Sequence, residues 1–152
     1  MPESFRSFQA FADRLGAVAA YLPPEVDRIL ETVGQKLEGV ARAKFGVYQP
    51  GAGPMPAWAD LSPRTMLERA KLGFTPNDPL LRSGATRDTT GHGVDHGVLT
   101  LGSTSQIMPE LEFGDRRRNV PPRPVYGPTM YENASYATRQ LMLAVQSAFF
   151  ES

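Results

Sequence analysis

The stretch PPEVDRILETVGQKLEGVARAKFG, residues 23–46, decides the fold. Val26, Ile29, Leu30, Val33, Leu37, Val40 and Ala41 recur through it every three or four positions, the spacing of one face of an α-helix. Pro24 stands where a first helical turn tolerates a missing amide, and Gly46 stands where a left-handed cap would end the helix. At 1.5 Å per residue the helix spans about 30 Å.

Upstream, Phe5, Phe8, Ala12, Leu15, Ala19 and Leu22 carry the same period and predict a first helix over residues 3–21. The pair Pro23-Pro24 is expected to separate the two helices, since proline lacks the donor and restricts the residue before it. Residues 1–46 thus form a helical N-terminal part. Residues 47–60 follow with Pro50, Gly51, Gly53, Pro54 and Pro56, predicting an exposed loop that connects elements without joining the core.

Residues 61–128 read as helix, hairpin and arm. Ser62-Pro63 is a helix start, with serine as N-cap and proline in the first turn, and Asp78-Pro79 repeats the device for a short helical turn ended by Gly84. Residues 86–103 alternate Thr, Gly, Val and Leu with polar residues, predicting two strands whose turn lies between Gly91 and Gly97. Residues 106–113 fit a short helix or a strand, and residues 123–126 a third strand at a sheet edge, where proline is tolerated. Thr129-Met130-Tyr131-Glu132 then reads as a capping box opening a helix of about six turns over residues 129–152. The sum is one α+β domain: long N- and C-terminal helices packed on a small, mostly antiparallel sheet, with long loops projecting.

The 152 residues suit a single core. Sixteen basic and sixteen acidic residues leave no net charge, so any nucleic-acid contact must be local. The absence of cysteine excludes disulfides, thiolate metal ligands and cysteine nucleophiles. No apolar run approaches the ~20 residues of a membrane helix, and the acidic, Phe-rich start lacks a basic leader, so no membrane partner and assembly in the cytoplasm are expected.

Two imidazoles and a carboxylate fall within five residues at His92, Asp95 and His96, ligand types suited to zinc, nickel or iron. A metal-dependent hydrolase would need them to converge with further ligands; Gly91, Gly93 and Gly97 work against the helix that would align them, and polar residues at a hairpin tip read better. Ser103 and Ser105 occupy no nucleophile elbow, and Gly91-His92-Gly93 lacks the lysine and hydroxyl residue of a phosphate loop. Arg116, Arg117, Arg118 and Arg123 concentrate four guanidinium groups in eight residues, beside the Pro-rich run of residues 120–128. Arginine there suits bidentate pairing with carboxylates of a neighbouring subunit or with DNA phosphates.

In order and spacing, Trp58 and Leu61, Thr65 and Lys71, Leu80-Leu81-Arg82-Ser83-Gly84, Gly102-Ser103, Phe113-Gly114 and the run from Pro121 to Gly127 resemble the phage virion morphogenesis family, the tail completion or neck proteins of tailed bacteriophages. Ala85 and Ile107-Met108 depart from that pattern, leaving completion protein and tail terminator both open. The resemblance implies a structural, non-enzymatic virion protein without a cofactor, six copies to a ring, joining the tail end to the head at the neck after assembly in the host cytoplasm. Its implied partners are further copies of itself, neighbouring neck or adaptor proteins, the tail terminator or tail tube, and DNA in the channel. Arg116, Arg117, Arg118, Arg123 and Tyr126 are the expected assembly contacts, from their charge, rigidity and expected exposure; a small DNA-contacting adaptor would use the same arginines.

Overall fold

One helix, α1 (Phe8–Lys44), runs for 37 residues, about 55 Å. It belongs to a computed structural model that describes residues 7–150. Ser7 caps α1, its hydroxyl accepting the Ala10 amide at 3.1 Å; the expected start at Glu3, with Phe5, lies outside the described residues. Pro23 and Pro24 lie inside α1 and do not divide it, contrary to the sequence expectation. Each removes a bond to the carbonyl four residues back, on Ala19 and Ala20, and all four residues are exposed, so water reaches the freed acceptors. The seam of Val18, Leu30, Val33, Leu37 and Ala41 stays buried on both sides of the prolines, and its packing holds the helix through them.

That seam faces α5 (Tyr126–Phe150), which runs antiparallel to α1. Lys44 pairs with Glu132 at 3.1 Å near one end, the Lys36 ammonium lies 3.5 Å from the centre of the Tyr136 ring, and Arg14 donates to the Phe149 carbonyl at 2.8 Å at the other end. Arg14 so places a cation on the negative end of the α5 dipole. A different face of α1, with Asp27, Glu31, Gly34, Glu38 and Arg42 at helical spacing, carries a β-hairpin.

The hairpin pairs β1 (Thr90–Asp95) with β2 (Val98–Ser103), in register from Thr90 opposite Ser103 to Asp95 opposite Val98. His96 and Gly97 both have positive φ, 46° and 76°, the geometry of a two-residue type I′ turn. Gly91 and Gly93 therefore lie in β1 and only the end of the expected turn segment turns. Among the described residues the sheet has two strands, and residues 123–126, expected as a third, are not one of them. Pro121, Pro122 and Pro124 have no amide to give a ladder, and the segment is held by other bonds described below.

Ser62 caps α2 (Pro63–Lys71) as expected, taking the Thr65 amide at 3.1 Å. Asp78-Pro79 begins a tight turn, not a helix, because Leu80 takes a left-handed φ of 59°; Gly84, also left-handed, then opens α3 (Ala85–Asp88). Of the two readings for residues 106–113, the helix is realised as α4 (Met108–Phe113). Both loops expected to project lie against the core, which gathers Ala41, Phe45, Trp58, Leu80, Met108 and Val125. Ala52 and Trp58 are buried from the first loop, and Arg123, Pro124 and Val125 from the second. The architecture is α+β, with long terminal helices and a small antiparallel sheet. Among the described residues no helix is long and apolar enough to cross a membrane.

Candidate functional site

The arginine run sits on a tight, ordered turn after α4. Gly114 leaves the helix at φ 76°, with its backbone so close to Pro122 and Val120 that a Cβ would meet both at 2.9 Å. Asp115 and Val120 then exchange backbone bonds of 2.9 and 2.8 Å, closing the turn. The Asp115 carboxylate accepts the Arg117 amide at 2.9 Å, and Asn119 supplies the left-handed residue, φ 57°. Arg116 and Arg117 are exposed, and neither guanidinium has a partner among the described residues. Arg118 is already engaged, with Nη1 donating to both oxygens of Glu110 at 2.6 and 2.8 Å.

Arg123 was expected on the surface and is 6% exposed. Its Nε donates to the Ala59 carbonyl and its Nη2 to the Asp60 carbonyl, each at 2.9 Å, while its amide donates to Leu111 at 2.7 Å. Burial, with Arg69 nearby, moves its pKa below the ordinary value. The guanidinium ties the chain around Trp58 to the Pro-rich run, and is not an exposed contact. Trp58 completes the tie, its indole donating to the Pro124 carbonyl at 2.8 Å. The run of residues 120–128 is therefore rigid and packed in place. Tyr126, half-buried, shares a 3.0 Å hydroxyl bond with Thr90 and joins α5 to β1.

Sequence reasoning missed the group that starts α5. The buried Glu112 carboxylate accepts amides from Val125, Tyr126 and Gly127 at 2.6, 3.2 and 2.8 Å. It satisfies three donors a helix start leaves free and places a negative charge at the positive end of the dipole. The expected capping box is not formed: α5 begins at Tyr126, and Thr129, fully buried, gives its hydroxyl to the Val125 carbonyl. Glu112 lies thirteen residues before the amide it caps, outside any local capping pattern. Beside it, Leu101, Gly102, Ser103, Met108, Phe113 and Gly127 line an open apolar groove of about 390 Å³.

His92, Asp95 and His96 do not converge. Asp95 and His96 pair with each other at the exposed hairpin tip. His92 turns toward α1, with Nδ1 2.5 Å from Glu38 and Nε2 3.0 Å from Glu31. Gly34 makes room, since a Cβ there would collide with the His92 ring and with Leu99. Glu38 also pairs with Arg42 at 2.8 Å, Arg42 donates to the Thr90 carbonyl, and Asp27 accepts the Gly97 amide at 2.7 Å. Burial disfavours the charged imidazole, but hydrogen bonds and charge from Glu38 and Glu31 outweigh it and raise the His92 pKa. Both ring nitrogens are engaged in docking the hairpin, and among the described residues no group of three His, Cys, Asp or Glu is arranged to hold a metal ion.

No protein-family model, curated protein or solved structure compared with the chain matches it.

Proposed function

We propose that the chain is a structural subunit of a bacteriophage neck, one copy of a ring that completes the tail end and joins it to the head. The observation that supports the reading is that four of the resembling segments, at Trp58, Gly102-Ser103, Phe113-Gly114 and Pro121–Gly127, lie against one another. Trp58 bonds to Pro124, Arg123 clamps Ala59 and Asp60, Gly114 lies against Pro122, and Gly102, Ser103, Phe113 and Gly127 line one groove.

In this reading the framework holds Arg116 and Arg117 outward, ready for carboxylates on a neighbouring ring component. Arg123 and Tyr126 act within the subunit. The test is deletion of the gene from the phage that encodes it, followed by electron microscopy of the lysate. Separate heads and tails, rejoined when the protein is supplied in trans, are expected; complete infectious virions without the protein would overturn the reading.

The exposed Arg116–Arg117 pair also supports a second reading, a DNA-contacting adaptor. Two free guanidinium groups predict weak binding whose logarithm falls with log salt at a slope of roughly −0.9 per phosphate contact. Binding insensitive to salt would remove it.

A further inference from the structure

The backbone of β2 is paired on one side only. The two-residue turn at His96 and Gly97 makes Asp95 and Val98, which flank it, a pair that exchanges both backbone bonds. By alternation Gly93 with Thr100 and Gly91 with Gly102 do the same. The N–H and C=O groups of Thr90, His92 and Val94 on β1, and of Leu99, Leu101 and Ser103 on β2, therefore point away from the hairpin. On the β1 side Arg42 donates to the Thr90 carbonyl, as that geometry requires. On the β2 side no hydrogen bond among the described residues reaches the backbone of Leu99 or Leu101.

The same edge borders the groove beside Glu112. Leu101, Gly102 and Ser103 are consecutive and successive strand residues face opposite ways, so all three line one groove only along the edge of the strand. Met108, Phe113 and Met130 form the facing wall, and Phe113 is 81% exposed. Glu112 is the one charged residue of the lining, and its oxygens are occupied by the three amides at the start of α5. Nor does β2 carry the features that keep an edge from pairing: Val98–Ser103 holds no charge and no proline, and no bulge interrupts its register with β1.

We infer that this edge receives an extended segment of another polypeptide, added beside β2 as a further strand, with apolar side chains at alternate positions entering the groove. The backbone row specifies the occupant. Donor and acceptor pairs recurring at every second residue, roughly 7 Å apart, are matched by a strand. A helix spends its amides internally, and nucleic acid or lipid phosphates have no donors for the Leu99 and Leu101 carbonyls. The groove argues for a lone segment: the wall of Met108 and Phe113 beside the edge leaves space for one strand, whereas β2 of a second folded copy brings the same wall with it. The assignment does not depend on the neck reading.

The test is amide hydrogen exchange, read by NMR on the full chain alone and with peptides selected on it from a displayed library of random sequences. In the free chain the Thr100 and Gly102 amides are expected to be protected by the ladder, and those of Leu99 and Leu101 to exchange freely. Selected peptides carry apolar residues at alternate positions and slow exchange at Leu99 and Leu101 by roughly tenfold or more when bound. Methylating the peptide amides that face β2 abolishes binding, while methylating the intervening amides leaves it intact. Phe113→Glu, at an exposed position, weakens binding by roughly tenfold. A library without enrichment, peptides that bind equally in both methylated forms, or Leu99 and Leu101 amides already protected in the free chain would each overturn the inference. Protection that rises with protein concentration and without peptide would make a second copy the occupant, and would overturn it as well.

Discussion

The Glu112 carboxylate accepts the Val125 amide at 2.6 Å, so a residue of α4 caps α5 from across the groove between them. This bond fixes where α5 begins. Glu112→Ala leaves three buried or half-buried amides without an acceptor and is expected to cost roughly 2–3 kcal/mol, with Glu112→Gln, which keeps one acceptor and loses the charge, about half as severe. Urea unfolding followed by circular dichroism gives the values, and an Ala variant within about 0.5 kcal/mol of wild type would refute the cap.

His92 gives the fold a pH dependence with a definite sign. Its pKa is raised in the folded state by Glu38 and Glu31, against the opposing effect of burial. The stabilisation is therefore complete below the ordinary histidine value of ~6.5 and is lost as pH rises from there through the raised folded value. Unfolding free energy measured across that window falls in wild type, and the His92→Gln variant loses this component of the fall. An identical slope in both proteins would contradict the clamp.

Two glycines of α1 respond oppositely to alanine. At Gly34 an added Cβ runs into the His92 ring and Leu99, and the expected cost is about 1–3 kcal/mol despite alanine's better helix propensity. At Gly39 nothing lies within 4 Å, and Gly39→Ala is expected to stabilise by about 0.5–1 kcal/mol. Thermal melts of the two variants decide the matter, and a shift of the same sign in both would show that the hairpin does not seat on Gly34.

The arginines divide into structural and outward groups. Arg123→Ala abandons the Ala59 and Asp60 carbonyls and is expected to destabilise by roughly 1–3 kcal/mol. Arg116→Ala and Arg117→Ala are expected to lie within about ±0.5 kcal/mol of wild type, and their charge reversals reduce head–tail joining in complementation. Joining by the paired reversal at wild-type efficiency would remove these residues from the interface.

The helical period of α1 and α5, the Ser62 cap and the presence of a hairpin were legible because each depends on neighbours in sequence. The continuity of α1 through Pro23-Pro24 was not, since local propensity opposes it and packing of the seam on α5 overrides it. The docking of the Pro-rich run was hidden for the same reason: Trp58 to Pro124 and Arg123 to Asp60 are bonds across more than sixty residues. Arg123 resembled its neighbours Arg116 and Arg117 in composition, and only the fold separates a buried clamp from an exposed pair. Uncharged residues run along nearly all of α5, the exposed Met142 and Phe149 as well as the buried Ala144 and Ala148, so which face looks outward needed the structure.

Gold labelling of a tagged copy in purified virions, viewed by electron microscopy, tests the neck assignment most directly. The account predicts label at the head–tail junction of complete particles. Label on the capsid surface or distal tail, or particles that carry none, would contradict it.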